Sequence, residues 1–232
     1  VMDKFHKLLG RIKRKEFLYL FDLALPDGNR LFYCGRQLIF RLSDFNRFDA
    51  LLRVVEKRFD HQLSIADAAM LARLRTEFPA KAERFERRVA KGNRCFVTTR
   101  ENEITGYVWA MEPGGDHFDT NSLWVYEPET IDSVWCTDAF VKPEFRMQGL
   151  FLQLLAGVRN EYFAKGYKAL SGETNYSNKA SVNSHLRVGY EIKWQVTYMS
   201  FLGFKVFIAK DEESGQREVS SRYALNVEQY LL

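Results

Sequence analysis

The stretch Phe140-Val-Lys-Pro-Glu-Phe-Arg-Met-Gln-Gly-Leu-Phe151 has the residue types needed to hold a phosphate group. A run with strand character, Val134 to Val141, reaches Pro143, crosses a short polar turn and enters a helix at Gly149. Leu150, Phe151, Leu154, Leu155, Val158 and Tyr162 fit the helical period. Lys165-Gly166 ends it, a cation in the last turn followed by a terminating glycine. Backbone N–H groups in the turn and the first helical turn have no intrahelical acceptor, and the helix dipole adds positive potential there. Gly149 lacks a Cβ, so the backbone can approach a ligand closely. Similar strand–turn–helix units also occur that bind nothing, and local physics alone does not separate the two cases. Other chemistries find less support. No Ser-His-Asp elbow, metal-ligand spacing or Walker-type loop is present. Cys136 has no activating neighbour in sequence and reads as a buried strand thiol.

The spacing Val141-x-Pro143-x-x-Arg146-x-x-Gly149 resembles the acyl-CoA signature of the GNAT superfamily of N-acyltransferases, Val-x-Pro followed by Gln/Arg-x-x-Gly-x-Gly/Ala. Downstream, Asn178-x-x-Ser181-x-x-x-His185-x-x-x-Gly189-Tyr190 resembles the helix of the same family that reads Asn-x-x-Ala/Ser-x-x-x-Tyr/His-x-x-x-Gly-Phe. The resemblance covers residues 131–199 closely and 36–130 more loosely. It implies an α/β fold: a mixed, twisted central sheet with helices on both faces. It implies acetyl-CoA or another acyl-CoA as cosubstrate, no metal, and direct attack of an amine on the thioester. By motif position, Arg146, Met147, Gln148, Gly149, Leu150 and Phe151 form the pyrophosphate turn. The backbone at Phe140 and Val141 binds the thioester carbonyl and the pantetheine arm, and Asn178 and Ser181 lie on the pantetheine side. Phe151 departs from the family's Gly/Ala and is expected to point into the core with Leu154 and Leu155.

The same resemblance places His185 where many members carry a tyrosine that protonates the leaving thiolate. An imidazole titrating near ~6.5 can serve as acid or relay, or can be a structural helix histidine. Asp138 and Glu173 are the carboxylates nearest the expected reaction centre, and either can accept the amine proton, directly or through water. The expected function is an N-acetyltransferase acting on a primary amine of a small molecule or amino sugar. Two alternatives stay open. One is a longer-chain or carrier-protein-dependent acyltransferase. The other is a catalytically silent acyl-CoA-binding or interaction module.

The bulk numbers agree with one main domain. The chain has 232 residues, 46% apolar and 15% aromatic, enough for a substantial core. No run approaches ~18 uninterrupted apolar residues, and no cleavable leader is expected. Three well-separated cysteines fit a reducing, cytoplasmic setting better than a disulfide framework. Residues 1–20 carry six Lys/Arg against Asp3 and Glu16, which equals the whole net charge of +4. The rest of the chain is therefore neutral, and nucleic acid is not an expected partner. The basic arm at residues 4–15 can meet an anionic membrane or an acidic partner, or pack its apolar side on the domain.

The expected organisation is an N-terminal helix and hairpin extension (1–30), an acyltransferase domain (31–210) and a tail (211–232). The strand over 31–42 is expected to be the family's first. A helix follows with Phe45, Phe48, Leu51, Leu52, Val55 and Phe59 on one face, and Ser64-x-x-Asp67 is expected to cap another. Phe78, Ala82, Phe85 and Val89 line a further helix between Pro79 and Gly92. An aromatic insert at 116–130 is expected either to shape an acceptor site or to be a loop fixed by its rings.

Overall fold

Strand β1, Phe32–Leu42, is apolar on both sides: Leu38, Phe40 and Leu42 face one way and Ile39 the other, all buried. Such a strand belongs inside a sheet, covered on both faces. The computed structural model describes residues 32–57, 60–112, 132–201 and 204–220. The expected elements before residue 32, the insert at 116–130, the bend at Gly203 and the tail past 220 lie outside them.

The other strands are β2 (Gln62–Ile65), β3 (Arg94–Arg100), β4 (Glu103–Met111), β5 (Ser133–Val141), β6 (Ala169–Asn175), β7 (Glu191–Phe201), β8 (Phe204–Asp211) and β9 (Arg217–Ser220). Helices α1 (Asn46–Glu56), α2 (Ala68–Glu77), α3 (Ala82–Ala90), α4 (Leu150–Phe163) and α5 (Lys179–Val188) connect them. Among the described residues the strands form one sheet in the order β2-β3-β4-β5-β6-β1-β7-β8-β9. Among the described residues only β5 and β6 pair in parallel, so the sheet is mixed. Helices α1, α4 and α5 cover one face, over Phe40, Val108, Cys136 and Leu170. Helices α2 and α3 cover the other, over Cys95, Val97, Tyr107 and Trp109. Each fully buried Leu or Phe in these layers contributes roughly 1.5–3 kcal/mol.

Several expectations shift. Besides β4, β3 pairs with β2, a short and largely exposed element that overlaps the expected capping stretch at Ser64 and Ile65. Asp67 does cap α2, accepting from the Met70 amide at 2.8 Å. Strand β1 instead lies between β6 and β7. On α3 the inner face is turned from the expected stripe: Phe85 and Arg88 are buried, while Val89 is exposed. A ninth strand, β9, pairs with β8 in what was read as polar tail.

Candidate active site

Strands β5 and β6 pair from Ser133↔Ala169 to Cys136↔Gly172 and then separate. Beyond that rung β5 stays with β4, to Gly106↔Val141, and β6 stays with β1, to Gln37↔Asn175. The backbone groups of residues 137–141 that would have met β6 are left facing an opening. A bulge accompanies the separation. Tyr107 pairs with Phe140 and Trp109 with Thr137, so Asp138 and Ala139 together stand opposite Val108. Asp138 takes φ +48°, an uncommon value for a residue with a Cβ. Val108 faces the α4 side. Without the bulge Asp138 would face that core too; the extra residue re-aims it to the α2–α3 face.

There its two oxygens are both occupied. Oδ1 accepts from Lys81 Nζ and Oδ2 from Arg88 Nη1, each at 2.7 Å. Lys81 also donates to the Tyr107 hydroxyl at 2.6 Å. Burial, reinforced by the Asp138 charge, pushes the Tyr107 hydroxyl far up, so it stays a neutral phenol. Phe140 belongs to the same layer, stacked on Tyr107 and edge-on to Phe78. Glu173 lies opposite Ile39, on the face away from Phe40, and is the first β6 residue past the last paired rung. Asp138 and Glu173 thus share one face of the opening.

The pyrophosphate candidates follow β5. A single 3-10 turn, Pro143–Phe145, leads to Arg146, whose Nε donates to the Val141 carbonyl at 3.1 Å. Met147 takes φ +63° and is 87% exposed, so its side chain leaves the turn for solvent. Gln148 Nε2 returns to the Glu144 carbonyl. Gly149 takes φ +84° and carries no side-chain cap. The first intrahelical bond runs from the Gln153 amide to the Gly149 carbonyl at 3.0 Å, so the amides of Leu150, Phe151 and Leu152 have no helical acceptor. Such a helix start suits an anion by charge and by direction. Leu150 is buried, and Phe151 packs on the core and edge-on to His185, which keeps its ring off the amides.

His185 is on the α4–α5 face, stacked on Phe40 at 4.8 Å between ring centres and set against Tyr190. Its Nδ1 lies 2.8 Å from the Ser181 carbonyl, an acceptor, so Nδ1 carries the hydrogen. Nε2 looks toward Gly172: a Cβ there would come within 3.8 Å of it and 3.0 Å of the Cys136 carbonyl. The rung where the strands part is therefore kept clear by a glycine. Asn178 caps α5, accepting from the Ser181 amide. Cys136 is buried, and burial pushes its thiol up to about 12, the Tyr190 hydroxyl beside it acting the other way. Such a thiol is no nucleophile at neutral pH.

Burial lowers the proton affinity of His185, opposed by its bond to Ser181. The unfolded chain takes up a proton first, near pH ~6.5. Stability is therefore full above that pH and falls as pH drops toward the folded value, by up to ~1.4 kcal/mol per pH unit. Urea midpoints at about pH 7.5 and 5.5 test this: His185→Phe should lose less stability on acidification than the wild type. Equal losses would contradict a neutral buried ring.

The residues that sequence reasoning missed are Lys81 and Arg88. Lys81 immediately precedes α3, four before Phe85, and Arg88 stands three after it; a cation at a core-facing helical spacing was the available signal.

The comparisons agree with this frame. The profile of the acetyltransferase (GNAT) family matches residues 63–190, more than half of the chain. It begins within β2, so β1, expected as the family's first strand, lies outside it. A conserved protein of unknown function from Staphylococcus epidermidis is 13% identical, with TM-score 0.51, over 84% of this chain and 79% of its own. A GCN5-related glucosamine N-acetyltransferase region of a fungal multi-domain β-N-acetylglucosaminidase is 15% identical, with TM-score 0.51, over 80% of this chain and 22% of its own. The aminoglycoside N-acetyltransferase AAC(6')-Iy, solved with a CoA bisubstrate analogue, is 20% identical, with TM-score 0.45, over 56% of this chain and 90% of its own. No curated protein sequence matches. With the profile spanning both the turn at 142–149 and the helix at 179–188, the chain belongs to the GNAT acetyltransferase family.

Proposed function

We propose that the protein transfers an acetyl group from acetyl-CoA to a primary amine of a small molecule or amino sugar, by direct attack and without an acyl-enzyme. The observation that carries this reading is the opening between β5 and β6, with unpaired strand backbone on its wall and an uncapped helix N-terminus at its rim. The α4 amides and Gly149 hold the diphosphate. The backbone of residues 137–141 receives the pantetheine arm and polarises the thioester carbonyl, as preorganised donors do.

The two faces divide the chemistry. On the α2–α3 face we assign the base to Glu173, the first β6 residue past the last paired rung, and give Asp138, which holds Lys81 and Arg88, a positioning role. Glu173 takes the amine proton as the C–N bond forms. On the other face the C–S bond breaks, and the departing sulfur needs a proton. We assign His185 as the relay: Nε2 first takes a proton from solvent, then gives it to the thiolate. A ring kept neutral by burial releases that proton readily. The products are an amide and free CoA thiol, with atoms and charge balanced.

The test is thiol release from acetyl-CoA in the presence of amino sugars and small primary amines. Amine-dependent release above background supports the reading. Hydrolysis alone with every amine, despite acetyl-CoA binding, would contradict it.

A further inference from the structure

Tyr176 follows β6 on the rim of the opening and is 40% exposed. Two cations lie over its ring. Lys179 Nζ, from the first turn of α5, is 3.6 Å from the ring centre, and Arg36 Cζ, from β1, is 5.2 Å away. The two charges therefore sit within about one screening length of each other, ~10 Å at 0.1 M salt. Among the described residues neither makes an ion pair with a carboxylate. The nearby Asn175 side-chain oxygen already accepts from the Ser177 amide and hydroxyl. Two unneutralised cations around an exposed aromatic face suit one kind of ligand: a planar ring carrying a phosphate.

The place fits as well. Strands β5 and β6 are parallel, so the diphosphate turn after β5 and Tyr176 after β6 leave the sheet at the same edge. Arg36 shares the parity of Leu38 and Phe40 on β1, so it projects on the side of α4 and α5. The Tyr176 amide donates to the Arg36 carbonyl at 2.8 Å, which fixes the two segments together. Arg36 also comes from a strand outside the family match.

We propose that Arg36, Tyr176 and Lys179 bind the nucleoside end of coenzyme A, Tyr176 against the purine and the two cations on the ribose 3′-phosphate. The assignment rests on the acyl-CoA reading above. CoA and 3′-dephospho-CoA are the probes, titrated calorimetrically into the wild type, the Arg36→Glu/Lys179→Glu double variant and Tyr176→Ala. The wild type binds CoA about tenfold tighter than dephospho-CoA, and added salt reduces that preference. The double variant loses the preference by weakening CoA about tenfold while dephospho-CoA changes little. Tyr176→Ala weakens both ligands alike, because both carry the purine. A double variant that keeps the preference, or weakens both ligands equally, overturns the assignment. So does a wild type that binds the two with equal affinity, which leaves the acyl-CoA reading standing. A wild type that binds neither overturns that reading as well.

Discussion

Gly149→Glu abolishes acyl-CoA binding, with affinity falling more than about 100-fold, or about 2.7 kcal/mol. Three effects act together. The residue sits at φ +84°, where a Cβ costs roughly 1–2 kcal/mol. The side chain adds bulk where the backbone must approach a diphosphate. Its charge opposes both the ligand and the helix dipole. Gly149→Asn separates these effects, because asparagine tolerates the left-handed region and is neutral. It should retain weakened binding. The turn already holds one residue with a Cβ in that region, Met147, so the strain alone does not unfold it. Wild-type affinity in the glutamate variant would remove the diphosphate from this turn.

Glu173→Gln lowers turnover by about 10²–10⁴-fold, the range expected for loss of a general base. Acetyl-CoA affinity stays within about twofold, since the substitution keeps shape and removes only the proton acceptor. The remaining activity should rise with pH as the fraction of neutral amine increases. Asp138→Asn gives a different pattern. Breaking a buried pair by removing one partner costs about 3–5 kcal/mol, and Asp138 pairs with both Lys81 and Arg88. Its activity loss should therefore track a fall in melting temperature, whereas that of Glu173→Gln should not. If Glu173→Gln turns over within a few-fold of the wild type while Asp138→Asn stays folded and inactive, the roles are reversed.

The turn between β5 and α4 was legible in the sequence because its determinants are local. Pro143 fixes a dihedral, Gly149 supplies a positive one, and the apolar positions from Leu150 to Tyr162 set the helix face. The core-facing placement of Phe151 followed from the same periodicity. The bulge did not announce itself. Asp138 carries no glycine or proline beside it, and its left-handed backbone is set by pairing with β4. The pairing of Lys81 and Arg88 with Asp138 joins residues more than 45 positions apart, beyond any local period. Strand β2 has four residues, three exposed and one half-buried, and too little alternation to stand out. The interior place of β1 was written in its two-sided apolar character, but its neighbours β6 and β7 come more than 100 residues later. The division of His185, on α5, from Asp138 and Glu173 on the other face became clear only once the bulge and the register were known.

The central claim is that this opening takes acyl-CoA. A calorimetric titration of the full chain with acetyl-CoA tests it most directly. Saturable one-to-one binding in the micromolar range, lost in Gly149→Glu, is the predicted result. A folded wild-type protein that shows no heat and no saturation with acetyl-CoA, free CoA or a longer acyl-CoA would contradict the claim.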